Sequence, residues 1–68
     1  MHLDIYNYLN NLTEKEVLIL SLYFVEDFNV EEISYILEED TIYIQNRIDE
    51  ITKEIDLLIN GNFFSLKL

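Results

Sequence analysis

Carboxylates dominate the chemistry this chain can offer. Fourteen Asp and Glu stand against four Lys and Arg in 68 residues, a formal net charge of −10. They concentrate in three clusters: Glu26-Asp27, Glu31-Glu32 and Glu38-Glu39-Asp40. The plainest reading of each is a solvated acidic rim. A bound divalent cation would need oxygen donors at a fixed loop spacing, and no segment has the calcium-loop pattern. Two further uses stay open. Dense carboxylates can complement a basic patch and steer association, or imitate a phosphate backbone on the basic surface of a DNA-binding protein. His2 is the single His, and there is no Cys. Without a thiolate, a second imidazole or a nucleophile beside a base, the chain points away from catalysis and implies no cofactor or metal. Paired carboxylates alone do not make a glycosidase site, because 68 residues offer no substrate cleft to hold them. The other distinctive run is Gln45-Asn46-Arg47, where two amides suit an adenine edge and a guanidinium suits guanine or phosphate.

The chain is one small domain over residues 1–68. Half of it is hydrophobic and about a quarter charged, with mean hydropathy +0.07, which is a globular composition. There is no Pro and one Gly, so the turn residues of a β fold are missing. The acidity opposes nucleic-acid binding through phosphate neutralisation, and opposes anionic membranes as well. Val17–Val25, the longest apolar run, is interrupted by Ser21 and is too short to span a bilayer. The amino terminus lacks the basic-then-apolar order of a signal peptide, so a soluble, cytoplasmic protein is expected.

Hydrophobic spacing reads as helix nearly throughout. Ile5, Leu9 and Leu12 predict a short first helix with Asp4, Asn7 and Asn11 on its polar side. Thr13 and Glu16 form a capping box that opens a second helix, from about Glu14 to about Glu26, with Leu12 and Val17 as a hydrophobic staple. That helix is apolar almost all round, which predicts cover on more than one face. Asn29 and Glu32 repeat the cap, with Phe28 and Ile33 as staple, for a third helix to about Glu38 that buries Val30, Ile33, Ile36 and Leu37. Asp40 or Thr41 caps the last helix, whose stripe is Ile44, Ile48, Ile51, Ile55 and Leu58, with Gly61 as a left-handed stop. The expected fold is all-α, a small three- to four-helix bundle, followed by the apolar tail 62–68.

The stretch Leu12–Ile59 resembles the C-terminal helix-turn-helix of bacterial sigma factors, region four, and related small transcription regulators. The resemblance lies in Leu12-Thr13-Glu14-Lys15-Glu16-Val17-Leu18, in Leu22-Tyr23-Phe24 with the acidic turn Glu26-Asp27-Phe28, in Val30-Glu31-Glu32-Ile33-Ser34-Tyr35-Ile36-Leu37, and in Tyr43-Ile44-Gln45-Asn46-Arg47-Ile48 at the place of the recognition helix. It implies a helix-turn-helix built from the last two helices, and a role in transcription. Two departures stand out. Glu38 occupies the turn position that is usually Gly in the family. The recognition segment, usually basic, holds Arg47 and Lys53 against Asp49, Glu50, Glu54 and Asp56, a net −2.

With Ile44 pointing inward, steps of 100° put Ile42, Asn46, Asp49 and Lys53 outward and Gln45 at the edge. In a DNA-bound helix-turn-helix, Ile42, Tyr43, Gln45, Asn46 and Arg47 are the candidate DNA-facing residues; the other reading of that surface is an ordinary solvated face. Ile42, Leu57, Phe63, Phe64, Leu66 and Leu68 are the candidate partner-binding residues, unless the tail folds back onto its own domain. Taken together, the expectation is a transcription-associated regulator acting mainly through protein contacts, with RNA polymerase, a sigma factor or a basic DNA-binding protein as partner. A homodimer is a further possibility, and DNA binding is expected to be weak or absent. The competing classes are an acidic interaction module or DNA mimic, and a sequence-specific DNA-binding regulator.

Overall fold

A computed structural model describes residues 3–61, with side chains from 4 to 60. The expectations placed on His2 and on Phe63, Phe64, Leu66 and Leu68 lie outside the described residues. Within them the protein is a small all-α bundle of four helices, with no strand.

The second, third and fourth helices each begin where the sequence supplies a cap. Helix α1 (Leu3–Asn10) closes with the Asn11 and Leu12 amides bonded to the Tyr8 and Leu9 carbonyls. Thr13 is extended (φ −73°, ψ 163°); its hydroxyl accepts the Glu16 amide at 3.1 Å, and the Glu16 carboxylate accepts the Thr13 amide at 2.8 Å. Helix α2 (Glu14–Leu20) grows from this box and continues as a π-helical turn, Ser21–Val25. Asn29 repeats the arrangement with Glu32 at 2.8 and 2.9 Å and opens α3 (Val30–Leu37). The Asp40 carboxylate accepts the Ile42 amide at 3.3 Å and opens α4 (Thr41–Asp56), which ends in a second π-helical turn, Leu57–Gly61. A side-chain cap of this kind contributes about 1 kcal/mol.

The two inner turns use the same stop. Among the described residues, Asp27 and Glu38 are the two non-glycine residues with positive φ, at 64° and 56°. At Glu38 the amides of Glu38 and Glu39 return to the Tyr35 and Ser34 carbonyls at 3.4 and 3.0 Å, which is a Schellman motif. At Asp27 the following amide, Phe28, reaches back to Leu22 at 2.9 Å, one residue further than in that motif, because the π turn has added a residue. The turn position that the family resemblance gives to Gly thus takes a left-handed conformation here with Glu in it.

Ile19 of α2, Ile33 of α3, and Ile44 and Ile48 of α4 make one buried cluster, edged by Leu22, Tyr23, Phe28, Val30, Leu37 and Tyr43; Ile51 is buried one turn further along. Each such side chain contributes roughly 1.5–3 kcal/mol on burial. The stripe Ile44-Ile48-Ile51 predicted from spacing is therefore the core of α4, with Ile55 and Leu58 half-buried.

Three expectations are corrected. First, α2 is not covered on several faces. Ile19 alone is fully buried, and Val17, Leu18, Phe24 and Val25 are exposed, because α1 docks on the Leu57–Gly61 end of α4. Second, Ile36 is exposed: Leu37 takes the place beside the core and turns Ile36 outward. Third, Gly61 is the last residue of a π-helical turn and not a left-handed stop, since the widened turn carries the helix through it. Among the described residues, no helix is long and apolar enough to cross a membrane.

Candidate functional site

The first two turns of α4 hold all five candidate DNA-facing residues, and the structure divides them. Ile42, Gln45 and Asn46 are exposed, with Ile42 68% accessible. Ile42 and Gln45 share an open groove with Tyr23, Asn29, Val30, Glu31 and Thr41, between the start of α3 and the start of α4. The Gln45 amide donates to the Asp49 carboxylate at 2.9 Å, so it is held along its own helix. Tyr43 is half-buried against the isoleucine cluster, and the Lys15 ammonium lies 5.9 Å from its ring centroid.

Arg47 faces into the bundle. Its side chain is 27% exposed; Nη2 lies 3.1 Å from Glu16 of α2, and Nη1 lies 2.5 Å from Glu50 of α4. Its Nε is buried with no protein partner. Glu16 uses one carboxylate oxygen to cap α2 and the other to hold Arg47. The guanidinium that suits a phosphate or guanine is thus committed to a seam between α2 and α4. A positional signal foretells this: Arg47 lies three residues beyond Ile44, only about 60° round the helix from the buried stripe.

Lys15 extends the seam, pairing with Glu39 in the α3–α4 turn, while the Ser34 hydroxyl donates to the Glu39 carbonyl. The hydrogen bond to Glu39, and then its charge, raise the Lys15 pKa above the ordinary 10.5. Tyr8 borders the same charges, and burial followed by the Glu54 carboxylate raises its pKa above 10.0.

Of the candidate partner residues, Ile42 and Leu57 fall among those described, and these two are not brought together. Ile42 and Leu57 are both exposed, but fifteen residues of one helix separate them, roughly 22 Å at 1.5 Å per residue. Sequence reasoning missed the outer face of α3. There Tyr35 is 87% exposed and Ile36 48%, and together with Phe28, Glu31 and Glu32 they line a groove of about 380 Å³. The available signal was that α3 carries apolar residues on two opposed sides. Among the described residues, no group of three His, Cys, Asp or Glu is placed to hold a metal ion. Compared with protein-family models, curated proteins and solved structures, the chain matches none.

Proposed function

We infer that this chain is a transcription-associated regulator, with a sigma region four-like helix-turn-helix in α3 and α4, that acts mainly through protein contacts with RNA polymerase, a sigma factor or another basic transcription partner. The transcription half of this reading is supported by the sequence resemblance and by the order of elements: a capped α3, the turn Glu38–Asp40 with its left-handed first residue, and a longer α4. The observation that carries the protein-contact half is the position of Arg47. The arginine best placed by residue type for a phosphate is held by Glu16 and Glu50, and Asp40 already sets a carboxylate at the α4 N-terminus, where a phosphate would approach. Nonspecific DNA affinity comes from Lys and Arg releasing counterions, and only four exist in a chain of net charge −10.

Two measurements test this. Affinity capture from a bacterial extract should retain RNA polymerase subunits or a sigma factor; their absence from the retained proteins counts against the transcription reading. Fluorescence anisotropy with promoter-like duplexes should show weak or no binding at physiological salt. Tight, sequence-dependent binding that is lost on Gln45→Ala or Asn46→Ala would return the site to direct base reading.

A further inference from the structure

We propose that the outer face of α3, built on Phe28, Tyr35 and Ile36 and bordered by Glu31 and Glu32, is the docking surface for a basic amphipathic helix of a partner protein. The inference rests on the protein-contact reading above and assigns it a place and a chemistry.

The argument starts from periodicity. Val30, Ile33 and Leu37 turn one side of α3 into the core, whereas Tyr35 lies about 200° round the helix from Ile33. Within α3, Glu32, Tyr35 and Ile36 stand at i, i+3 and i+4 and share one face, and the half-buried Phe28, just before the Asn29 cap, closes the near end of the groove they line. Tyr35, opposite the core side, and Ile36, at its flank, are both left exposed by the described elements. Phe28 also borders a second, more polar hollow with Tyr23, Phe24, Asp27 and Asn29 at the α2–α3 corner.

Charge selects the occupant. The border of this surface is acidic through Asp27, Glu31 and Glu32, and no described Lys or Arg lines it. Lys15 and Arg47 pair with carboxylates at the α2–α4 seam, and Lys53 lies on α4. A second copy would set the same carboxylates against one another, a like-charge contact that disfavours it. A helix with an apolar stripe flanked by Lys or Arg satisfies both the groove and its rim.

The probe is a fluorescein-labelled 14-residue Leu/Lys helix-forming peptide, titrated against the full chain by anisotropy. Two controls accompany it: a Leu/Glu peptide of the same pattern, and a Leu/Lys peptide scrambled to have no apolar face. The Leu/Lys helix should bind at least tenfold tighter than either control, and tenfold weaker to the Tyr35→Ala/Ile36→Ala double variant. Both substituted side chains are exposed, and circular dichroism should show that the variant keeps its helices. Ile59→Ala, at an exposed residue of the Leu57–Gly61 turn that lines neither hollow, should leave binding unchanged. Equal binding to the double variant overturns the proposal, as does equal binding of either control peptide or no binding at all. Self-association in sedimentation that is abolished by the double variant would assign the face to a second copy and also overturn it. Failures of the two readings are separable. Polymerase retained equally by wild type and double variant sinks this face alone, whereas peptide binding here without any transcription protein retained sinks the transcription reading alone.

Discussion

The seam between α2 and α4 and the outer face of α3 use charge in opposite ways. At the seam each cation is matched: Arg47 with Glu16 and Glu50, and Lys15 with Glu39. On the outer face of α3 the carboxylates of Glu31 and Glu32 flank exposed Tyr35 and Ile36, with no cation among the lining residues. A chain with four basic residues thus commits two of them to internal pairs, and its remaining surface is left acidic. The difference teaches how one chain divides its charges: Arg47 and Lys15 tie helices and turns together, and the outer face of α3 keeps its carboxylates unmatched.

The largest expected effect lies in the hydrophobic layer that both regions depend on. Ile48→Asp would bury an unpaired carboxylate among Ile19, Ile33 and Ile44, at a cost of about 4 kcal/mol or more, comparable to the whole stability of a domain this size. Circular dichroism should show the variant unfolded at 25 °C. A folded variant would mean that α4 is not packed through this stripe.

Next comes the seam itself. Arg47→Met strands the largely buried Glu16 carboxylate and should cost about 1–2 kcal/mol, a figure already reduced for the partial exposure of the pair. Adding Glu16→Gln, which keeps the α2 cap, should recover part of that loss in urea unfolding. An uncoupled pair of losses would show the Arg47–Glu16 contact to be incidental, freeing Arg47 for a phosphate and erasing the contrast with α3.

The elements that were legible in the chain are those whose cause is local. Thr13 with Glu16, and Asn29 with Glu32, need only three residues to close a capping box, so their spacing alone reveals them. Ile44, Ile48 and Ile51 are equally readable, because an isolated apolar stripe on a polar helix has one way to face. Helix α2 was not readable in this way. Where every side is apolar, the pattern says nothing about which side is covered, and the choice was made by α1 docking on the far end of α4. The π turns were hidden for a related reason: a shift in hydrogen-bond register leaves no mark in residue type. The site suffered most. Arg47 has the right chemistry for a nucleic acid; its place near the buried stripe was a signal, but Glu16, the group that holds it, lies on another helix.

A smaller effect is expected at the α3–α4 turn, which links the two regions. Glu38 holds φ 56° and ψ 47°, a conformation costing a residue with a Cβ about 1–2 kcal/mol. Glu38→Gly relieves that strain and gives back part of it as chain entropy, so a net gain of about 0.5–1 kcal/mol is expected in urea unfolding. Glu38→Val should lose stability instead. If Gly and Val behave alike, the turn is not set by its left-handed residue.

The smallest effect is alkaline. Burial, then Glu54, raises the Tyr8 pKa above 10.0, while its bond to Glu39 raises that of Lys15 above 10.5. In both cases the folded chain holds its proton more tightly than the unfolded chain does. The stability they contribute is therefore complete below about pH 10 and is lost as pH rises through the folded values. For Tyr8 the loss comes from charging a phenol beside the carboxylates of Glu54, Glu16 and Glu50, and for Lys15 from discharging the partner of Glu39. Tyr8→Phe should flatten the fall in Tm as pH rises above the ordinary tyrosine value of 10.0, and Lys15→Met should flatten it above the ordinary lysine value of 10.5. A slope that Tyr8→Phe leaves unchanged would overturn the placement of this phenol beside the carboxylates of the seam.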